Sequence, residues 1–481
     1  MASIVIVGAG IAGLAAALAL SDRGHEVRLL DREPAVPALP PQQLADAWSR
    51  RSVPQADQPH SFTALGMNLL RERAADVYEA LLSAGAAELD LSASPPPRPA
   101  DRTELPYDPE LRPLACRRKV FEAVLRQAVL ARPRVTLQPG TAVRGLLLDG
   151  SSPRVVGVRT DGGQRVVADV VLDATGWRSL SARWLAEIRP VLEPARSLDA
   201  TAAAARPRIS AYTRFYRLRT GEPPAPLNRG NAAGGFWSHF LAILHPGDNG
   251  TFTVCLGVLT DDAAMKGLRR EPAFDAAVAS IDILAAWLAP GVSQPISGVR
   301  AHSCPASHLR GPDILGGEHV QSMFPIGDAA CVTNPVYGRG VSLALAHAYR
   351  LADVLDAVPR VGAEQARLAA RVTASLMTPW HRQGKRDDEE LLGVWRATIH
   401  GEQPPAPPVG RLPFGAVAMA AVTDPVVWRR ALRVQMCLDE PDTLYTDEEI
   451  RARVEKAQTT KRPNLPGPDR AELVALVAAA G

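Results

Sequence analysis

Two stretches of this sequence have the residue types and spacing to hold a phosphorylated ligand through the backbone. Gly8-Ala9-Gly10-Ile11-Ala12-Gly13 has the form G-x-G-x-x-G. Gly8 permits a tight turn, Gly10 lets a pyrophosphate approach the chain, and Gly13 lets a helix touch a strand, with Ala12 in the same helix entry. The N–H groups and dipole of a helix start suit phosphate oxygens. Asp31, eighteen positions past Gly13, can accept hydrogen bonds from a ribose. A glycine-rich turn alone would read equally as a structural turn, so its setting decides in favour of a dinucleotide. The second stretch is Phe324-Pro325-Ile326-Gly327-Asp328-Ala329-Ala330, followed by Asn334-Pro335-Val336-Tyr337-Gly338-Arg339-Gly340. Asp328 suits a ribityl hydroxyl. Gly338 and Gly340 at a helix entry would let backbone N–H groups face a flavin carbonyl, where the helix dipole stabilises a reduced, anionic ring.

These residues need particular elements behind them. Ser3-Ile4-Val5-Ile6-Val7 is a β-branched run suited to a strand buried on both faces of a parallel sheet. Residues 11–20 then read as a helix of small residues stopping near Gly24, and Glu26 to Leu30 as a second strand. The prolines between Pro34 and Pro59 predict an irregular excursion, residues 61–85 a helix, and Pro95 to Pro99 a loop. A helix carrying Arg117, Arg118 and Glu122 is expected to run to about Ala131. Strands follow at Val135–Leu137, Thr141–Leu148, Arg154–Thr160 and Gln164–Leu172, with Gly162-Gly163 as a hairpin turn.

Between about Ile209 and Arg300 the pattern changes to period-2 strands with aromatic residues, which predicts a separate antiparallel sheet. Alternation puts Tyr212, Arg214 and Tyr216 on one face, and Trp237, His239 and Leu241 on another. Either set could line a substrate pocket; core packing or a solvated face is the competing reading. A strand enters Phe324, a helix starts near Val341, and the tail after about Pro379 reads as helices broken by a loop from Gln403 to Pro408.

Composition removes several classes of function. With 481 residues, 46% hydrophobic and 22% charged, the chain has room for two or three domains, and neither a disordered chain nor a membrane bundle fits. The net charge of +3, from 54 basic and 51 acidic residues, is too balanced for a nucleic-acid footprint. Cys116, Cys255, Cys304, Cys331 and Cys437 form no Cys-x-x-Cys pair, so neither a metal site nor a disulfide framework is expected, and a reducing cytoplasm suits them. The apolar run Ile11 to Leu20 is too short to span a bilayer.

The glycine fingerprint, Arg118-Lys119-Val120-Phe121-Glu122, Asp173-Ala174-Thr175-Gly176 and the late Gly327-Asp328 together resemble the glutathione-reductase-type FAD fold of flavoprotein monooxygenases. Val53-Pro54-Gln55, Gln58-Pro59-His60, Arg183-Trp184-Leu185 and Asn334 to Gly340 more narrowly resemble bacterial polyether epoxidases such as those of monensin and lasalocid biosynthesis. The resemblance implies an α/β fold. A Rossmann-like, discontinuous FAD-binding domain would take residues 1–190 and 300–380, an inserted antiparallel-sheet substrate domain 191–299, and a helical region 381–481. It implies that Gly8, Gly10 and Gly13 hold the pyrophosphate, Asp31 the adenosine ribose, and Arg32 and the backbone of Val143 the adenine. Arg118 would reach the FAD phosphates or ribityl chain, although by pattern alone a solvated helix arginine reads equally well. Thr175-Gly176 and Gly327-Asp328 would face the ribityl or phosphate side, Gly338 and Gly340 would flank the isoalloxazine, and His60 and Tyr337 would lie near the ring.

The activity so implied is epoxidation or hydroxylation of an apolar natural-product intermediate by dioxygen, through a flavin C4a-hydroperoxide and with no protein nucleophile. Aromatic hydroxylases of this superfamily carry Asp-Gly where Thr175-Gly176 stands here, with Arg183 displaced by one position, and no second G-x-G-x-x-G follows a strand. Electrons from NAD(P)H would therefore arrive directly or through a separate flavin reductase. Competing readings are a reductase of the geranylgeranyl-reductase type, a flavin halogenase, for which the Trp-x-Trp-x-Ile-Pro string and a convincing catalytic lysine are missing, and a redox-silent FAD-binding protein.

Overall fold

The computed structural model describes residues 1–92, 103–150, 152–192, 207–310, 320–406, 412–457 and 466–480. Its first third alternates strand and helix: β1 (Ser3–Val7), α1 (Ile11–Ser21), β2 (Glu26–Leu30), α2 (Arg118–Leu130), β3 (Val135–Gln138) and β4 (Val170–Asp173). The middle is β5 (Ile209–Leu218), β6 (Ala233–Phe236), β7 (Leu241–Pro246), β8 (Thr251–Leu259), α3 (Glu271–Ala279), α4 (Asp282–Leu288), β9 (Ser293–Pro295) and β10 (Arg300–Cys304). The last part is β11 (Met323–Pro325), α5 (Gly340–Ala357), α6 (Ala363–His400), α7 (Phe414–Ala420), α8 (Pro425–Gln435) and α9 (Arg470–Ala479).

A five-stranded parallel sheet has the order β11-β4-β1-β2-β3. The β-branched run of β1 is central to it, with Ile4, Val5, Ile6 and Val7 all buried, because covered faces on both sides leave no polar alternation. Each such aliphatic side chain contributes about 1.5–3 kcal/mol on burial. Helix α1 presents Leu14, Leu18 and small alanines to the same core that holds Leu345 and Leu355 of α5. Residues 155–160 and 165–167 pair antiparallel in a three-stranded sheet with 143–148, and Gly163 makes the expected turn with φ +76°.

The second large sheet is antiparallel, in the order β6-β7-β8-β5-β9, with β10 also paired to β5. One face is covered by α3, α4 and α9 through Phe274, Ile281, Trp287 and Leu473, whereas the other carries Ile209, Ala211, Leu241 and Cys255 towards Leu392 and Trp395 of α6. The period-2 pattern predicted this sheet but not the helix pair laid on it.

Several boundaries differ from the expected ones. Arg300–Cys304 belongs to the antiparallel sheet, across the expected limit at 299/300, because its register with Ile209–Thr213 continues that sheet. Helix α6 runs through Pro379 and across the limit at 380/381; Met377, Trp380 and Gln383 are buried on it, and this packing offsets the missing proline N–H. Helix α9 joins the antiparallel sheet rather than the other C-terminal helices. Strand β6 ends at Phe236, and Trp237 to Phe240 is not a strand: Trp237 N–H donates to Phe240 O at 2.8 Å, closing the turn between β6 and β7. The predicted helix over 61–85 is two helices, Ala64–Arg73 and Ala75–Ser83, and the excursion from Pro34 to Pro59 holds a short helix at Pro41–Ala47. The loop Pro95 to Pro99 lies outside the described residues, as do the last two positions of the loop expected from Gln403 to Pro408. Among the described residues no helix is long and apolar enough to cross a membrane.

Candidate functional site

One cavity of about 630 Å³ runs from the ends of β1 and β2 to the inner face of the antiparallel sheet. Its near end is the glycine turn. Gly8 leaves β1 with φ +104°, and its N–H donates to Leu30 O at 2.8 Å. A Cβ on Gly8 would stand 2.6 Å from Ala174 O, and one on Gly13 only 1.9 Å from Gly8 O. At Gly10 a Cβ would meet no protein atom within 4 Å, and the residue faces the cavity. The protein's own packing therefore demands two of the three glycines, and the third keeps a space open. Gly10 is the N-cap of α1, and no side chain satisfies the first N–H groups of that helix.

Asp31 is buried at the end of β2. One carboxylate oxygen accepts from Ala9 N–H at 3.0 Å and the other from Glu33 N–H at 2.9 Å, so it braces the glycine turn while lining the cavity. Arg32 is exposed at the rim and Val143 forms the opposite wall. Arg50, which the sequence reading missed, stands behind Asp31: its guanidinium lies 2.8 Å from Glu122 and 3.9 Å from Asp31, all three buried. No motif marks it, because it arrives from the irregular segment.

Arg118, in the first turn of α2, has its Nε 3.3 Å from the Glu122 carboxylate and its Nη1 2.8 Å from His60 Nε2. The other ring nitrogen of His60, Nδ1, is 2.9 Å from Gln58 O. This fixes the tautomer: Nδ1–H donates to Gln58 and Nε2 accepts from Arg118. Burial, then Arg118, lowers the His60 pKa to about 3. His60 is thus a neutral positioning residue for Arg118, with no free lone pair to act as a base.

Across the cavity, Gly327 (φ +56°) sits so close to α1 that a Cβ would be 2.8 Å from Ala12 Cβ. Asp328 lines the cavity, with its pKa raised to about 6 by burial against the opposing pull of Arg118 and Arg310. Thr175 and Gly176 also line it; the Thr175 hydroxyl and N–H both turn back to Asp173, at 2.5 and 2.9 Å. Gly338 takes φ +66° and a Cβ there would be 2.7 Å from Ser61 Cβ, whereas Gly340 is helical, open to the cavity, and starts α5. No side chain caps α5, so two helix N-termini open onto one cavity. Tyr337 lines it too, but its hydroxyl is committed to Asp388 at 3.2 Å.

The far end corrects the substrate-pocket candidates. Tyr212 and Tyr216 pack into the core under α3 and α4, and Arg214 pairs with Glu271 and Asp275, each at 2.5 Å. Alternation grouped these three correctly but cannot say which face of a sheet is covered by helices. Their neighbours Ile209 and Ala211 line the cavity instead. Trp237 and His239 sit in the β6–β7 turn, Trp237 stacked on Phe240 with its carbonyl accepting from Trp395, and neither lines the cavity. Arg183 is exposed and bonds to Glu187 on its own helix. Leu241, offered by the same alternation as Trp237 and His239, does line the cavity, and residues the sequence did not flag complete the chamber: Arg229, His245 and His302 from the sheet unit, Ala421 from the α7–α8 junction, and Trp428 and Leu432 from α8. Burial and then Arg229 lower the His245 pKa to about 4.

These residues fit FAD. Gly10 and the uncapped start of α1 suit a pyrophosphate, Asp31 a ribose, Arg118 and Asp328 the central chain, and the start of α5 an electron-rich ring. Among the described residues no group of three His, Cys, Asp or Glu is placed to hold a metal ion.

Residues 3–189 match the sequence model of the FAD dependent oxidoreductase family. Among curated proteins none matches the sequence. The fold is similar to that of PqsL, a probable FAD-dependent monooxygenase from Pseudomonas aeruginosa (14% identity, 82% of this chain and 96% of that one, TM-score 0.55). It is likewise similar to P. aeruginosa PqsL in complex with 2-aminobenzoylacetate (16%, 82% and 99%, 0.56) and to the flavin-dependent brominase Bmp2 (16%, 95% and 99%, 0.57).

Proposed function

We propose that this FAD-dependent oxidoreductase is a monooxygenase, with a cofactor domain of the glutathione-reductase type and an inserted substrate-binding sheet, that transfers one oxygen atom from dioxygen to a largely apolar small molecule by epoxidation or hydroxylation. The observation that carries the reading is the continuity of the cavity: the glycine turn at Gly8–Gly13, the start of α5 and a chamber walled by Ala211, Leu241 and Leu432 share one continuous cleft. FAD, when bound and reduced, supplies the electrons that activate dioxygen.

The chain's own residues position and shield. The turn and α1 fix the phosphates, Asp31 fixes the adenosine end, and Arg118, held in place by His60, fixes the middle of the cofactor. The N-terminus of α5 favours negative charge on the ring. The apolar chamber excludes water from the reacting face and holds substrate against it, which matters more than any acid or base when the transferred oxygen is electrophilic. His60 and His245 are both neutral near pH 7, in keeping with that division of labour.

Oxygen transfer is favoured over halogenation by the absence of any lysine from the cavity wall among the described residues. Electrons are assigned to a separate flavin reductase, since Thr175 is turned to Asp173 and the sequence carries no second G-x-G-x-x-G entering a helix after a strand. The test is stopped-flow mixing of the chemically reduced holoprotein with oxygenated buffer. A monooxygenase shows a transient whose absorbance is neither that of reduced nor that of oxidised FAD; direct return to the oxidised spectrum supports the reductase reading instead. Anaerobic reduction by NADPH or NADH alone is expected to be slower than about 1 s⁻¹, below ordinary turnover. Rapid bleaching overturns the separate-reductase assignment while leaving oxygenation in place.

A further inference from the structure

The chamber is mostly apolar, with Asn231, His245, His302 and Gln435 among its neutral polar residues and one charged side chain on its sheet-side wall. Arg229 lies on its wall in the segment that leads into β6, and the backbone there is tightly held. Arg229 N–H donates to Ala232 O at 2.9 Å, the Asn228 side chain bonds both the N–H and the carbonyl of Gly234 (2.8 and 3.0 Å), and Gln435 of α8 reaches Arg229 O at 3.4 Å. The guanidinium lies against the Phe236 ring, 5.2 Å from its centroid.

Among the described residues no carboxylate pairs with Arg229, and its guanidinium makes no hydrogen bond. Of the other cavity arginines, Arg50 is met by Glu122, Arg118 by Glu122 and His60, and Arg310 by Trp177 O; Arg339, at the start of α5, lies between the rings of Tyr337 and Trp380 with its Nε unbonded, and Arg32, Arg144 and Arg178 are exposed, so Arg229 is the arginine of the sheet-side chamber that has no counter-charge. A guanidinium held in a sheltered, mostly apolar wall without a counter-charge is costly unless a ligand supplies one. Its fork of N–H donors matches a carboxylate in two parallel bonds. The neighbouring His245 is neutral and adds no second positive charge that would call for a doubly charged anion.

We infer that Arg229 is the recognition site for a carboxylate on the substrate, so that the molecule oxidised is an apolar acid whose charged end is anchored at the β6 entry while its apolar body extends along Leu241 and Ala211 towards the start of α5. This inference rests on the monooxygenase reading for the word substrate, but the anion site itself does not depend on turnover.

The test is calorimetric titration of the FAD-loaded protein with 2-naphthoate and decanoate, and with their primary amides, in wild type, Arg229→Gln and Arg229→Lys. At least one acid is expected to bind the wild type between about tenfold and a hundredfold more tightly than its amide, as for a charge-assisted hydrogen bond. Arg229→Gln should bring acid and amide together, Arg229→Lys should keep part of the difference, and FAD content should match wild type in both. Equal binding of acid and amide, failure of both acids to bind, or a preference that survives in Arg229→Gln overturns the proposal. Oxygen reactivity is measured separately on the same preparations, so loss of the acid preference leaves the oxygenase reading standing, and loss of oxygen chemistry leaves the anion site standing.

Discussion

At the end of β1 the contacts that shape the site are made by main chain: Gly8 against Ala174 O, Gly13 against Gly8 O, Ala9 N–H on Asp31. In the chamber some distance along the same cavity they are made by side chains, from β5, β7, β10 and the helices α7 and α8. Backbone contacts tolerate almost no substitution and depend little on which ligand atoms follow, so a cradle of this kind suits an invariant diphosphate. Side-chain walls can be exchanged one residue at a time at a cost set by packing, so a chamber of this kind suits a variable substrate. The two regions should therefore fail differently when changed.

The largest effect expected is at Gly13. Gly13→Ala places a Cβ 1.9 Å from Gly8 O, a clash that only backbone movement relieves, and should destabilise the chain by about 3 kcal/mol or more. Gly10→Ala has open space and should melt within about 0.5 kcal/mol of wild type, yet lose FAD affinity by tenfold or more. Thermal unfolding of the apoprotein beside FAD titration separates the two, and equal behaviour would erase the distinction between a glycine kept for the protein and one kept for the ligand.

Acid should strike through histidines, two of them on the chamber side. His60, His245, His239 and His347 are held neutral by burial, with pKa values lowered to about 3 for the first and about 4 for the others, against 6.5 unfolded. The unfolded chain therefore binds more protons below pH 6.5, and stability present above that pH is lost as pH falls towards 4, by about 1.4 kcal/mol per pH unit for each histidine kept neutral. Urea midpoints at pH 7.5 and 5.5 measure this; His245→Gln should flatten the dependence, and a slope unchanged by it would show His245 to be charged in the fold.

Asp31→Ala comes next. It removes the ribose acceptor and the brace on Ala9, and should weaken FAD binding by about 1.5–3 kcal/mol, read by titrating apoprotein. The smallest effect belongs to the corrected face: Tyr216→Phe deletes the 2.7 Å bond to Asp275 and should cost about 1 kcal/mol of stability with no change in FAD or carboxylate-probe affinity. A change in ligand binding there would return that face to the site.

Some of this was legible beforehand because backbone geometry restricts residue type. Only glycine satisfies Gly8, Gly13, Gly327 and Gly338, so those positions announce themselves in the sequence. Asp31 was readable because it ends a strand in fixed register with β1. Most of the chamber was not: alternation offered Leu241, but Leu432 in a wall looks like any core leucine, and period-2 alternation pairs Tyr212 with Tyr216 without revealing that α3 and α4 cover them. The stretch Trp237-Ser238-His239 misled because aromatic residues in a tight turn imitate a strand. Arg229 was hidden because its distinction is a missing partner, which no local pattern encodes.

Strand β4 lies beside β11 in the parallel sheet, with the whole antiparallel sheet between them in sequence. A ribosome must therefore finish the intervening segment before Met323–Pro325 can dock, and must go on to α7 and α8 before the chamber has its last wall. Until then the glycine turn exists without Asp328 or the start of α5, and the nascent chain offers the cofactor only one of its two ends. Retention of FAD should in this sense depend on segments distant in the chain having found each other.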